Sequence, residues 1–374
     1  MKYLFILGRN PELSLKEVLS YFEKERIKVN EFSLNLNGLL IDINFNLSPK
    51  IINEFGGVIS IGKVLSQGDI KEITKNLENI SLYSGTKNNF SYVIWNYSDD
   101  DNLSSISDYL KSRFRSEKLK TSLKPLTGNL ELQNGKNTRI VGNIVETQYF
   151  IFSLEKTIYF GMIDQTTDYK EIERRDMHKP VRREELAISP RLAKIMINLS
   201  QSIKGERILD PFCGIGVILS EALIKDISVI GIDIDKMAVD GATQNLSWNK
   251  FPSNKYKLFS RDSRKFSLNQ NINAIVTEPD LGNLLRKIPS NDETRQTLTD
   301  FENLMIDVLS NYKNNLLNRV VFSAPFIKTK SNKYAGCDIN KILQQTGLKL
   351  VEGFPIADYR SQQIVGRQIF VLEK

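Results

Sequence analysis

Asp210–Gly216 reads DPFCGIG, and Gly231–Asp235 reads GIDID. Together the two segments decide the fold. The run ERILD supplies a short apolar strand that ends on an acid. Gly214 and Gly216 then let the backbone turn sharply and leave room for a ligand. VILSEALIK, directly behind, is apolar enough for a buried helix. SVIGIDID makes a second strand, and Asp233 closes it 23 residues after Asp210. An acid in that place can accept both hydroxyls of a ribose. A dinucleotide fold would instead open its helix with G-x-G-x-x-G to hold a pyrophosphate. Here an acid precedes the glycines and nothing is built for phosphate. S-adenosylmethionine has no phosphate, and Asp210 is suited to its ammonium group.

The alternation continues to the C-terminus. KMAVDGATQNLSWN reads as a helix, YKLFSRDS as a third strand and INAIVTEPD as a fourth. A long amphipathic helix follows (TLTDFENLMIDVLSNYKNNL), then a fifth strand (RVVFSAP) and a closing pair, GLKLVEGFPIADY and RQIFVLEK. Strand, turn and helix in repetition predict a mostly parallel sheet with helices on both faces. Asp262, after the third strand, is placed for an adenine amino group, although aspartates in turns also cap helices.

The fourth strand runs into TEPDLG, Thr277–Gly282. Ligands in such sheets bind beyond the carboxyl ends of the strands, so this loop would border the donor methyl. An exocyclic amine is a poor nucleophile because its lone pair is delocalised into the ring. A side-chain oxygen and a backbone carbonyl that accept its two N–H bonds favour a pyramidal nitrogen. Glu278 and the Pro279 carbonyl are the candidate acceptors. Glu278 reaches about 1.5 Å further than an aspartate would, and a glutamine there would still accept. Asp280 and Leu281 complete the loop. Leu281 has no π-face for a base, which makes Phe326, after the fifth strand, a candidate ring against the commoner reading of a buried Phe.

The front part has a different pattern. KYLFILG, GLLIDINF, VISIGKVL, FSYVIWNYS, RIVG, TQYFIFSLE and TIYFGMI read as strands. SLKEVLSYFEKERI, SPKIINEFGG and SSISDYLKSRFR read as helices, with Ser14 as N-cap and Glu17 completing a capping box in the first. This is α+β material without internal repeats. A hydrophilic stretch, 164–185, has too few apolar residues for a core and reads as a connector.

The chain has 374 residues, 41% hydrophobic and 25% charged, enough for two domains. No apolar run is long enough to span a bilayer, and the N-terminus has no signal-peptide pattern, so a cytoplasmic location without membrane attachment is expected. Two distant cysteines and one histidine, His178, argue against a disulfide framework, a metal site and a Ser/His or Cys/His nucleophile. His178 reads as a surface residue of the connector. Net charge is +7, which suits a polyanionic partner. Two basic clusters stand out, Lys111–Lys124 and Arg174–Arg183. Each would be an ordinary solvated face if read alone.

With these residues in view, the chain resembles the THUMP-domain tRNA guanosine N2-methyltransferases of the guanosine-10 type. The likeness is clearest in ISPRLAKIMINLS, ILDPFCGIGVILSEAL, VIGIDIDKMAVDGATQNL and YRSQQIVGRQIFVLEK, and fainter in LFILGRNPELSLKEV and EFGGVISIGKV. It implies an α/β fold: a Rossmann-like S-adenosylmethionine-dependent methyltransferase domain preceded by an α+β THUMP-like RNA-binding region. The implied boundaries are 1–60 for a ferredoxin-like part, 61–164 for a THUMP-like part, 165–185 for a linker and 186–374 for the catalytic domain. The front region would grip the 3′ end of tRNA and present the base. The matching donor-site positions are Asp210, Gly214, Gly216, Asp233 and Asp262, with Ser189 and Pro190 bordering the methionine end. The matching catalytic loop is Glu278, Pro279, Asp280 and Leu281. The family pattern there is Asp-Pro-Pro-Tyr/Phe, so only Pro279 matches outright. With this fold, Arg113, Arg115, Lys118 and Lys120 are expected to meet phosphates, and Arg174, Arg175, Arg182 and Arg183 to touch RNA near the linker.

Three functions remain open at this point. One is N2-methylation of a tRNA guanosine. Another is methylation of a different amine, in ribosomal RNA or on DNA adenine. The third is a non-catalytic RNA-binding protein that keeps the fold. The oligomeric state stays open, a monomer included.

Overall fold

A computed structural model of the chain describes residues 1–98, 102–142, 145–183, 188–282, 285, 287–360 and 362–374. The chain divides into two compact units. One comprises 1–15, 26–53 and 57–167; the other comprises 16–25, 54–56 and 168–374. The last two residues of the expected linker, 184 and 185, lie outside the described residues.

The first unit is built on one eight-stranded sheet. Its strands are Lys2–Leu7 (β1), Val29–Asn35 (β2), Gly38–Ile43 (β3), Val58–Gly68 (β4), Asn89–Tyr97 (β5), Lys120–Leu123 (β6), Thr147–Leu154 (β9) and Thr157–Thr166 (β10), in the order β2-β3-β1-β4-β10-β9-β5-β6. Gly128–Glu131 (β7) and Asn137–Ile140 (β8) form a separate hairpin. Period-2 alternation sorts the side chains to two buried faces. Tyr92, Ile94, Tyr149 and Ile151 point to the face covered by Ile70–Leu77 (α2) and Asn102–Ser116 (α3). Val93, Trp95, Phe150 and Phe152 point to the other, where Leu130 and Ile140 of the hairpin pack. The sheet thus runs through both stretches expected as a front part and a THUMP-like part.

Two local expectations change. The helix Pro11–Lys24 (α1) begins three residues before the expected cap. Pro11 has no N–H to lose there, and Asn10 Oδ1 accepts from the Leu13 amide at 3.2 Å. Ser14 lies one turn inside, its hydroxyl donating to the Asn10 carbonyl at 2.8 Å. Glu17 is buried and accepts from the Gly56 amide and the Asn198 side chain, both at 2.7 Å. SPKIINEFGG forms one 3-10 turn, Ile51–Glu54, in place of a helix.

In the second unit Tyr169–Met177 (α4), capped by Asp168, is a helix within the stretch expected as a hydrophilic connector. Pro190–Leu199 (α5), Val217–Ile224 (α6), Lys236–Trp248 (α7), Asn291–Tyr312 (α8) and Ile339–Thr346 (α9) follow. Its sheet contains Arg207–Asp210 (β11), Ser228–Asp233 (β12), Tyr256–Ser260 (β13), Ala274–Thr277 (β14), Arg319–Lys328 (β15), Tyr334–Ala335 (β16), Lys349–Leu350 (β17), Ile356–Asp358 (β18) and Val365–Glu373 (β19). The order is β13-β12-β11-β14-β15-β19-β17, with β16 on β15 and β18 on β19. Pairs from β13 through β15 are parallel, and β19 is antiparallel to β15. This is the alternating α/β sheet that the sequence predicts. Leu209, Ile275, Phe322 and Phe370 pack against α8 residues such as Phe301, Met305 and Val308. Their alternate neighbours Ile208, Val276, Val321 and Val371 are also buried, so both faces are covered.

Candidate active site

The parallel strands end together, and their ends build the site. Asp210 ends β11 and is 1% exposed. It accepts from Thr277 Oγ1 at 2.6 Å and from the Phe212 amide at 3.1 Å. Burial pushes its carboxyl up to about 7, against those two hydrogen bonds and with help from Asp233 and Glu278 nearby. Asp233 ends β12 and accepts from the Gly214 amide at 2.8 Å and the Asp235 amide at 2.9 Å. The Gly216 amide is bonded to the Cys213 carbonyl. The glycine turn therefore spends its donors on protein oxygens and faces outward with acids, a poor cradle for pyrophosphate. Gly214 has φ +50 and open space where a Cβ would stand, whereas a Cβ on Gly216 (φ +82) would approach Ala242 Cβ at 3.2 Å.

A cavity of about 750 Å³ opens over these strand ends. It brings together Asp233, Asp262, Glu278, Pro279, Asp280 and Leu281, all expected site residues. A smaller cavity of about 90 Å³ adjoins it, sharing Phe212, Arg183 and Glu278, and is lined by Asp210 and Ile188. Ser189 and Pro190 line neither: Ser189 caps α5 by accepting from the Leu192 amide, and Pro190 is its first residue. Gly214 and Gly216 shape the turn without lining either cavity. Asp262 is held in a fork by Arg264, at 3.0 and 2.8 Å, which keeps its carboxyl below the usual range.

The catalytic-loop residues are placed unequally. Glu278 follows β14, and its side chain is only 7% exposed. Its Oε2 accepts from Arg367 Nε at 2.6 Å and Ser323 Oγ at 2.9 Å; its Oε1 accepts from Arg367 Nη2 at 2.9 Å. Asp280 is exposed and accepts from the Gly282 amide at 3.0 Å. Leu281 packs onto the core under α8. Phe326 does not line the cavity; its ring stacks on Tyr334 at 5.0 Å and lies 5.7 Å from Tyr359. Phe212 supplies a ring to the cavity instead.

The basic candidates separate by surroundings. Arg115, Lys118 and Lys120 are exposed. Arg113 is tied down, donating to the Leu77 and Glu78 carbonyls and to Glu117. Arg175 turns inward to a buried pair with Glu221, at 2.8 and 3.2 Å, so it cannot face RNA. An uncompensated Glu221 in that place would be costly, which explains the position. Arg174 pairs with Glu171 and lies 4.8 Å over the Trp248 ring. Arg183 meets Asp235 at 2.5 Å beside both cavities, and Arg182 and His178 are exposed.

Sequence reading missed Arg367, Ser323, Phe212 and Arg264. Arg367 and Ser323 carry a weak signal: each is a polar residue within a largely apolar strand, VGRQIFVLE and RVVFSAPFIK. Among the described residues no group of three or more His, Cys, Asp or Glu is placed to hold a metal, and no helix is long and apolar enough to cross a membrane.

Comparison with known proteins adds to the geometry. A family model described as RMKL-like, methyltransferase domain, matches residues 179–311. A second, described as DNA methylase, matches residues 52–244, just over half of the chain. A tRNA (guanine(10)-N2)-dimethyltransferase of Methanothermobacter thermautotrophicus is 42% identical over 96 residues, which is 26% of this chain and 28% of that protein. The protein of the same name from Pyrococcus abyssi is 27% identical over 243 residues, 58% of this chain and 71% of that one. The chain thus spans little more than a quarter of the first relative's length and about seven tenths of the second's. The crystal structure of TrmN from Thermus thermophilus shares the fold, with TM-score 0.55, 13% identity and full coverage of both chains.

Proposed function

We propose that this chain, which belongs to the DNA methylase family and matches the RMKL-like methyltransferase domain over residues 179–311, methylates the exocyclic N2 amine of a guanosine in tRNA, using S-adenosylmethionine. The observation that carries the reading is one cavity holding both the donor-side acids Asp233 and Asp262 and the loop Glu278–Leu281. The acidic donor set fits a nucleoside with a cationic amino-acid tail: Asp233 for the ribose, Asp262 for the adenine edge, and Asp210 for the ammonium end. When bound, S-adenosylmethionine supplies an electrophilic methyl group and keeps the S–C bonding pair on sulfur. Glu278 Oε1 and the Pro279 carbonyl accept the target amine's N–H bonds and hold its lone pair toward that methyl. The amine gains the methyl and sheds one proton to solvent.

The first unit serves as the THUMP-like RNA-binding region in this reading, with Arg115, Lys118 and Lys120 on phosphates. Arg174, Arg182 and Arg183 are the candidate contacts of the second unit. The setting is cytoplasmic, as expected of a tRNA-modifying enzyme. A second reading, methylation of another nucleic-acid amine, has specific support in the DNA methylase match across residues 52–244. A non-catalytic RNA-binding homologue would keep donor binding and form no product.

The test pairs calorimetry with product formation. Glu278→Ala is expected to abolish methyl transfer while donor affinity stays within about twofold, since only transition-state contacts are removed. Asp233→Ala is expected to weaken the donor by about tenfold or more, the loss of hydrogen bonds to a half-buried charged acid. Transfer that persists in Glu278→Ala would remove the loop from the mechanism.

A further inference from the structure

Glu278 is not a free acceptor. Three of its roughly four lone-pair positions are already taken: Oε2 by Ser323 Oγ and Arg367 Nε, and Oε1 once by Arg367 Nη2. The three residues come from three neighbouring strands. Glu278 follows β14, Ser323 lies on β15 and Arg367 on β19, where it pairs with Pro325 in register. β14 is hydrogen-bonded to β15, and β15 to β19, so the clamp is set by the sheet ladder. A planar guanidinium binding a carboxylate through two parallel bonds fixes its plane as well as its place. Glu278 and Arg367 both line the large cavity, so the clamp borders the space a target base would enter.

We propose that Arg367 and Ser323 are positioning residues for methyl transfer: they fix the Glu278 carboxylate so that one acceptor position, on Oε1, is left for the target amine. The inference rests on the amine-methylating reading above. It explains how a glutamate can stand where the family pattern has an aspartate. The longer side chain has one more rotatable bond, and a loose carboxylate would lose orientation at the amine. The fork from Arg367 removes that freedom, and Ser323 closes the remaining position on Oε2. The amine then donates one hydrogen bond to Oε1 and one to the Pro279 carbonyl, which leaves its lone pair unshared.

The test is steady-state methyl transfer to tRNA by wild type, Arg367→Ala, Arg367→Lys and Ser323→Ala, with donor affinity measured alongside. Arg367→Ala is expected to lower kcat about 10²-fold, the cost of a misplaced catalytic group, with donor affinity and the KM for tRNA little changed. Dilute guanidinium in solution is expected to restore part of that loss, and it should do nothing for wild type. Arg367→Lys keeps the charge without the fork and is expected to fall between. Ser323→Ala, which removes one hydrogen bond to a charged group, is expected to lower kcat about tenfold; it carries the test if Arg367→Ala does not fold. Unchanged kcat in folded Arg367→Ala or Ser323→Ala would overturn the inference and leave the functional reading standing. A wild-type protein that methylates no nucleic-acid amine would overturn both.

Discussion

Asp210 has the most telling environment of any single side chain in the site. It lines the smaller cavity yet is 1% exposed, with a carboxyl raised to about 7 by burial. The sign follows directly. A carboxyl raised in the folded state above the ordinary aspartate range stabilises the fold fully below that range, and that stability is lost as pH rises through about 7. Thermal melts of the donor-free protein should therefore decline across that window, and Asp210→Asn should flatten the decline. A parallel decline in the variant would assign the effect to another group. The donor's ammonium favours the ionised form, so donor binding should release a proton below about 7 and tighten as pH rises. Calorimetry in buffers of different ionisation enthalpy reads that proton. Glu278 is equally informative. From its sequence a glutamine would serve as acceptor too, but a glutamine cannot form the charged fork with Arg367, whose guanidinium would keep only the weaker pull of Asp358. Glu278→Gln should consequently behave much closer to Glu278→Ala than chemistry at the amine alone implies.

Among the elements, strands were easier to read than helix ends. Period-2 and continuous apolar runs placed the main strands of both sheets, because that pattern is local. Helix α1 was placed, but its start was not. Ser14 and Glu17 have the spacing of a capping box, and Asn10-Pro11 is a competing start, an N-cap followed by proline in the first turn. Asn10→Ala should cost about 1 kcal/mol of stability, and Ser14→Ala less, by thermal denaturation; the reverse order would restore the sequence-based cap. Helix α5 was not read as a helix at all. Arg191, Lys194 and Asn198 do recur at helical spacing in an otherwise apolar run, so the signal was present, although the fold buries Lys194 and Asn198 as well. Helix α4 was hidden by its composition. Its charges look solvated, yet Arg175 is paired inside with Glu221. The donor-side acids were legible because Asp-Pro before the glycine turn and an acid after the next strand are close in sequence. The clamp on Glu278 was not, since Arg367 lies 89 residues away and nothing local announces the pairing.

For the whole molecule, the question is what a chain of net charge +7 does with its basic surface. The division among arginines and lysines is physical: Arg113 and Arg175 are spent on internal partners, while Arg115, Lys118 and Lys120 remain exposed on the first unit. Replacing those three together by alanine should weaken tRNA binding and reduce the salt dependence of log K by about 0.7–0.9 for each phosphate that is no longer neutralised. An unchanged slope would place the RNA elsewhere. The most direct measurement is transfer of label from methyl-labelled S-adenosylmethionine to unmodified tRNA transcripts, followed by digestion to nucleosides. Label recovered in N2-methylated guanosine is the expected result. Label in another nucleoside would move the target to a different amine, and no label, with donor and tRNA each bound, would contradict the proposed chemistry.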